Sequence, residues 1–130
     1  MSELAKQKSE VIQAMAILVC KEAGLQDSDL GLVLSYVNLM YEDTVLFGKK
    51  HHDYGTGNIS ATGEVGVLFR ASDKLARLFN FLNKKLIDGG QLQVANESID
   101  DAWSDLRNYA GIARVIRAGE WPDVPKGFIL

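Results

Sequence analysis

The chain has little of what staples, kinks or strongly charges a protein. In 130 residues it holds one cysteine, two prolines and 8% aromatic residues, and its formal charge is only −3. A lone cysteine closes no disulfide within the chain. Cys20 lies in the apolar run "AMAILVCKEAG" and is expected as a small buried hydrophobe in a reducing cytoplasm. Pro122 and Pro125 are both in the tail, so nothing upstream is barred from helix by proline. The absence of a basic excess argues against a general nucleic-acid binder, though not against a compact basic pocket for a small anion. No apolar run approaches the roughly 20 residues that span a bilayer, so no membrane partner is expected. The opening "MSELAKQKSE" lacks the charged-then-apolar layout of a signal peptide.

What is there reads as helix. At this length one domain, residues 1–130, is the economical expectation. A first helix is expected from Glu3 to Ala23, with Leu4, Val11, Met15, Leu18 and Val19 on one side and Gly24 as its stop. "DSD" offers an N-cap for a second, from about Asp29 to Phe47 or a little beyond, apolar around most of its circumference. The stretch "HHDYGTGNISATGE" is expected as a long Gly-rich loop. Thr62 or Gly63 then starts a third helix, Glu64 to Lys84, with Val67, Ala71, Leu75, Leu78 and Leu82 as its inner stripe. "LIDGGQLQVA" is a second irregular connection, with a turn or hairpin at Gly89-Gly90. The last helix is capped by Asn96 or Ser98 and ended by Gly119, with Ile99, Ala102, Trp103, Leu106, Ala110, Ala113 and Ile116 as its core stripe. Together these predict an all-α, four-helix bundle.

The charges are less ordinary than the fold. Arg70, Asp73, Lys74 and Arg77 interrupt an apolar run at offsets of three, four and seven, which lines them along one face. On the last helix Asp101, Asp105 and Asn108 do the same. The bland reading is a salt-bridge ladder, Arg70 and Arg77 with Asp101 and Asp105, of small worth. The sharp reading is a nucleotide pocket, because arginines offer planar forks to phosphate. Aligned carboxylates could add a magnesium ion that bridges to that phosphate.

Motif order adds to this. Lys50-x-x-Asp53-Tyr54-Gly55, Gly66-Val67-x-x-Arg70-x-x-Asp73-Lys74-x-x-Arg77-Leu78 and Glu97-Ser98-x-x-Asp101-x-x-x-Asp105-Leu106-x-x-Tyr109 together resemble the nucleotide-modification-associated domain 1 family. The resemblance spans about Lys49 to Ala113. It implies a small helical protein of bacteriophage type, acting around nucleotides or modified bases in a bacterial cytoplasm. Many members follow "DYG" with an aromatic residue, where this chain has Thr56-Gly57-Asn58. A more distant likeness is to the all-α nucleoside-triphosphate pyrophosphohydrolases, whose acidic pairs bind magnesium. Here Glu97, Asp101 and Asp105 stand at four-residue spacing and Glu42-Asp43 are adjacent, so the acidic set is incomplete.

The ligand-binding candidates are therefore Lys50, Asp53, Tyr54, Arg70, Asp73, Lys74, Arg77 and Tyr109. Asp101 and Asp105 are the metal candidates, with Asp73 or Asp53 as further ligands to Mg2+. His51 and His52 are adjacent, point about 100° apart on a helix, and suit a helix C-terminus or a phosphate better than one metal. Tyr54 could stack on a base or plug the loop. Trp103 is expected in the core and Trp121 at a subunit or ligand contact, with Phe128-Ile129-Leu130 docking on the body or on a second subunit. Two functions remain: a magnesium-dependent enzyme on a nucleoside phosphate, or a protein that sequesters a cyclic nucleotide immune signal without turnover. The apolar surplus of the second helix and the tail predicts a homo-oligomer.

Overall fold

A computed structural model describes residues 1–87 and 96–130, and among them every regular element is helical. The α-helices are α1 (Glu3–Ala23), α2 (Leu30–Tyr54), α3 (Gly57–Ser60), α4 (Gly63–Ile87) and α5 (Asn96–Arg117). Single 3-10 turns cover Asp27–Asp29 and Lys126–Phe128. The turn expected at Gly89-Gly90 lies outside the described residues. The chain divides into two compact units, Met1–Leu46 and Phe47–Leu130.

The first unit is α1 and the first half of α2. Ser2 caps α1 by accepting from the Ala5 amide at 3.1 Å. Gly24 ends it in the left-handed conformation, φ 68°, where the amide of Leu25 closes on the Cys20 carbonyl. The turn is fixed by Asp29, whose carboxylate accepts from the Gln26 amide. Ile12 and Ala16 of α1 pack with Val33 and Val37 of α2, joined by half-buried Cys20, Leu30, Leu34, Met40 and Tyr41. The buried side of α1 is thus not the expected one: Leu4, Val11, Met15 and Leu18 are exposed. Both sets have helical spacing, and the pattern alone does not rank them.

In the second unit α4 packs along α5. Its core is Ile59, Val67, Ile112, Ile116 and Trp121, with Phe47, Tyr109, Ala113, Val124 and Ile129 packed around it. The long Gly-rich loop is replaced by helix. α2 continues seven residues past Phe47 to Tyr54, Gly55 turns the chain at φ 68°, and α3 follows at once. α3 is built on one carbonyl, that of Thr56, which accepts from the amides of Ile59 and Ser60. The small residues serve a tight helical corner there.

The tail returns to the start of α4. Gly63 has φ 57°, and a Cβ on it would lie 2.8 Å from Phe128 Cβ and 2.8 Å from Val124 Cγ1. Only glycine fits this close approach. Buried Glu64 accepts from the Leu130 amide at 2.7 Å and from Arg117 at 3.2 Å, and Arg117 also donates to the Leu130 carbonyl at 2.7 Å. The apolar end of the chain therefore docks on its own body.

Candidate functional site

The stripe of α5 that faces inward runs Ala102, Asp105, Tyr109, Ile112, Ile116, a repeating three-four spacing of buried or half-buried positions. One of its members is an aspartate. On α4 the inward positions are Val67, Arg70, Ala71, Lys74, Leu78 and Phe81, while Leu75 and Leu82, expected inside, are 45% and 47% exposed. Each expected stripe was displaced around its helix toward the large apolar residues. The charges gathered on α4 belong partly to the packed side, which answers why an apolar run should contain them.

Asp105 is the centre of the polar cluster, its side chain only 12% exposed. Lys50 Nζ of α2 donates to its Oδ1 at 2.9 Å, and Lys74 Nζ of α4 stands 2.9 Å from its Oδ2. Burial alone would push the Asp105 carboxyl up. Hydrogen bonds from Lys50 and Lys74, and their positive charges, outweigh that and hold it below the ordinary aspartate value. The bond to Asp105 raises Lys50 above the ordinary lysine value against the opposing effect of burial. Two cations on one carboxylate leave a net positive charge. Arg70 adds a third cation and donates to the Asn58 carbonyl at 3.3 Å.

Beside this cluster is a pocket of about 220 Å³. Phe47, His51, Tyr54, Tyr109 and Trp121 supply aromatic walls, Ile59 and Ile112 aliphatic ones, and Lys50, Arg70, Asp105, Asn58 and Asn108 the polar lining. The His51 ring stacks on Phe47 at 5.9 Å and meets Trp121 edge-on at 6.0 Å. Trp121 is held in place by its indole N–H, which donates to the Thr56 carbonyl at 3.3 Å. The Ser60 hydroxyl, 2.7 Å from the Pro122 carbonyl and 3.0 Å from that of Thr56, ties the same corner to the tail.

Of the residues expected from sequence, Lys50, Tyr54, Arg70, Asp105 and Tyr109 line this pocket, and Lys74 joins through Asp105. Asp53, Asp73, Arg77 and Asp101 do not line it; all four are exposed. Asp53 lies 3.5 Å from the His52 ring, and the Arg77 guanidinium sits over the Phe81 ring at 5.9 Å. The reason is helical phase. Asp73 is about 100° around α4 from Lys74, and Asp101 falls beside the α5 stripe that Ala102 and Asp105 occupy. The expected ladder also changes partners, since lysines rather than arginines hold Asp105. Among the described residues no three His, Cys, Asp or Glu side chains gather as a metal site.

The pocket residues missed from sequence are Phe47, Asn58, Ile59, Asn108 and Ile112. Trp121, expected at a subunit or ligand contact, lines the pocket and is also core, 9% exposed, whereas Trp103, expected in the core, is 56% exposed. The available signal was the three-four spacing of Asp105, Tyr109, Ile112 and Ile116, hidden by the more conspicuous Trp103 and Leu106. No protein-family model, curated protein or solved structure gives a significant match to the chain.

Proposed function

We propose that the chain binds a nucleotide-like molecule, its base between the aromatic walls and its phosphate toward Lys50, Arg70 and Lys74. The observation that carries this is an aromatic pocket lined by Lys50 and Arg70, in which Lys50 and Lys74 share the pocket-lining carboxylate of Asp105. Size agrees: a cavity of about 150 Å³ admits benzene, so 220 Å³ suits one heterocyclic ring system with the phosphate at the rim. The motif resemblance supports a setting in phage nucleotide or modified-base metabolism.

Two forms of this reading differ in turnover. A hydrolytic form needs magnesium and convergent carboxylates. A sequestering form, which holds a cyclic nucleotide signal of host defence, needs only the pocket. The engagement of both Asp105 oxygens by ammonium groups favours the second.

Calorimetric titration of the wild type and Lys50→Ala with a panel of linear and cyclic nucleotides tests both. Loss of one charge-assisted contact costs about 1.5–3 kcal/mol, roughly 10- to 150-fold in affinity. Arg77→Ala, outside the pocket, should leave affinity unchanged. Binding that survives EDTA with no product formed would support sequestration; magnesium-dependent cleavage would support the enzyme. A Lys50→Ala chain that binds every nucleotide as the wild type does would reduce the cluster to a structural ion pair.

A further inference from the structure

The inward stripe of α5 places a carboxylate where a site for an anion alone does not need one. Asp105 is the sole acidic residue among the described residues that line the pocket, and it lies beside Lys50 and Arg70 there. Its side chain is 12% exposed, and the ammonium groups of Lys50 and Lys74 each stand 2.9 Å from one of its oxygens. Those two lysines hold the carboxyl in its ionised form. An ionised carboxylate repels a phosphate drawn to the same lysine. For phosphate binding alone, a neutral side chain at this position would serve better.

The carboxylate has something else to offer. It accepts at about four lone-pair sites and donates at none. The two lysines take one site on each oxygen, which leaves acceptor capacity for a donor on the ligand. Its place in the pocket says which part of the ligand that donor belongs to. Asp105 bonds to Lys50, on the phosphate side, and stands one turn of α5 before Tyr109, on the aromatic side. A group that links the ring to the phosphate passes this carboxylate, and in a nucleotide that group is the sugar.

We infer that Asp105 accepts a hydrogen bond from the ribose 2′-hydroxyl, so that the pocket selects ribonucleotides over their deoxy forms. This inference rests on the ligand reading above. The 2′-hydroxyl is the group that separates the two sugar classes, and it is present in linear nucleotides and in those cyclised through the neighbouring 3′ oxygen. A pocket that only attracts anions is indifferent to it. A pocket with a half-buried acceptor aligned to a hydroxyl rejects the analogue that lacks one, because the acceptor loses its donor.

Calorimetric titration of the wild-type chain with AMP, GMP, CMP, UMP and their cyclic forms, each paired with its 2′-deoxy analogue, reads the selection directly. The ribo form of the bound nucleotide should bind roughly 10- to 150-fold more tightly, the effect of one hydrogen bond to a charged group. Its 2′-O-methyl analogue, which keeps the oxygen and loses the donor, should bind no better than the deoxy form. Asp105→Asn removes the charge at nearly constant size, and the ribo-to-deoxy ratio should fall by about 5- to 10-fold, the difference between a charged and a neutral acceptor. A carboxylate that only orients Lys50 and Lys74 would instead weaken both forms equally and leave the ratio as it was. A melting curve shows that the variant titrated is folded, and the analogue series on the wild type decides the matter where it is not. Equal affinity for ribo and deoxy forms, a 2′-O-methyl analogue that binds as the ribo form does, or a ratio unchanged in Asp105→Asn would overturn this inference and leave the nucleotide reading standing. A chain that binds neither form would overturn both.

Discussion

The two units are held together by different kinds of interaction. In Met1–Leu46 a run of side-chain hydrogen bonds is local: Ser2 with Ala5, Ser9 with Gln13, Gln26 with Asp29, Asn38 with Glu42 and Thr44 with Met40. Apolar packing and the Lys8 cation over Tyr41 join α1 to α2. In Phe47–Leu130 directional bonds cross the chain: Lys50 to Asp105, Ser60 to Pro122, Arg117 to Glu64, Trp121 to Thr56 and Leu130 to Glu64. Non-directional burial tolerates exchange of its covering surface, whereas a set of long-range polar bonds specifies one arrangement. A pocket with fixed walls depends on the second kind of order.

The largest test of this contrast is Trp121→Ala. It empties the core of the second unit and removes the bond to Thr56, and should cost about 3–5 kcal/mol. Thermal melts should show the loss, and an unchanged melting temperature would take Trp121 out of the core. Gly63→Ala comes next. A Cβ at φ 57° must push away Val124 and Phe128, and strain with overpacking amounts to about 2–4 kcal/mol. Carboxypeptidase should then release the tail faster; an unchanged digestion rate would show that the tail is not tied there.

Asp105→Asn should cost about 1–3 kcal/mol, given partial exposure of the lysines. It also carries a pH signature. The carboxyl titrates lower in the folded chain, so its stabilisation is present above the ordinary aspartate value of 3.8 and lost as pH falls through the folded value. Lys50 titrates higher in the folded chain, so its stabilisation is present below 10.5 and lost as pH rises through the folded value. Melting temperature against pH should lose slope at both ends in Asp105→Asn; parallel curves would remove Asp105 from the network. Smallest is Ser2→Ala, the cap of α1, at about 1 kcal/mol. Its effect should be confined to the hairpin and visible as faster amide exchange in the first turn of α1.

How much of this was legible follows from where information sits along the chain. The bounds of α1 could be read because its apolar spacing is regular and Gly24, its stop, is a local signal with a local effect. The end of α2 could not, since glycines and small polar residues allow a loop and a tight helical corner alike, and the choice rests on Trp121, 65 positions beyond Thr56. The site was half legible. Arg70, Lys74 and Asp105 were found because charge beside a core stripe is anomalous anywhere, and Lys50, Tyr54 and Tyr109 through the motifs they belong to. Asp73, Arg77 and Asp101 share that anomaly, and Asp53 shares a motif with Lys50 and Tyr54; they differ in helical phase, which the packed partner decides. Phe47, Ile59 and Ile112 look like any core residue until the pocket forms beside them.

The Thr56 carbonyl has a kinetic consequence. It accepts from Ile59 and Ser60, within one turn, and from Trp121, 65 residues away. Helix formation takes about 0.1–1 μs, whereas closing so long a span waits for α4 and α5 to find each other first. The corner can therefore fold early, while the indole that completes the pocket wall arrives among the last events. A chain stopped at Glu120 would contain every described α-helix and still lack the Trp121 wall, so the pocket is complete only after the bulk of the helical signal has already appeared.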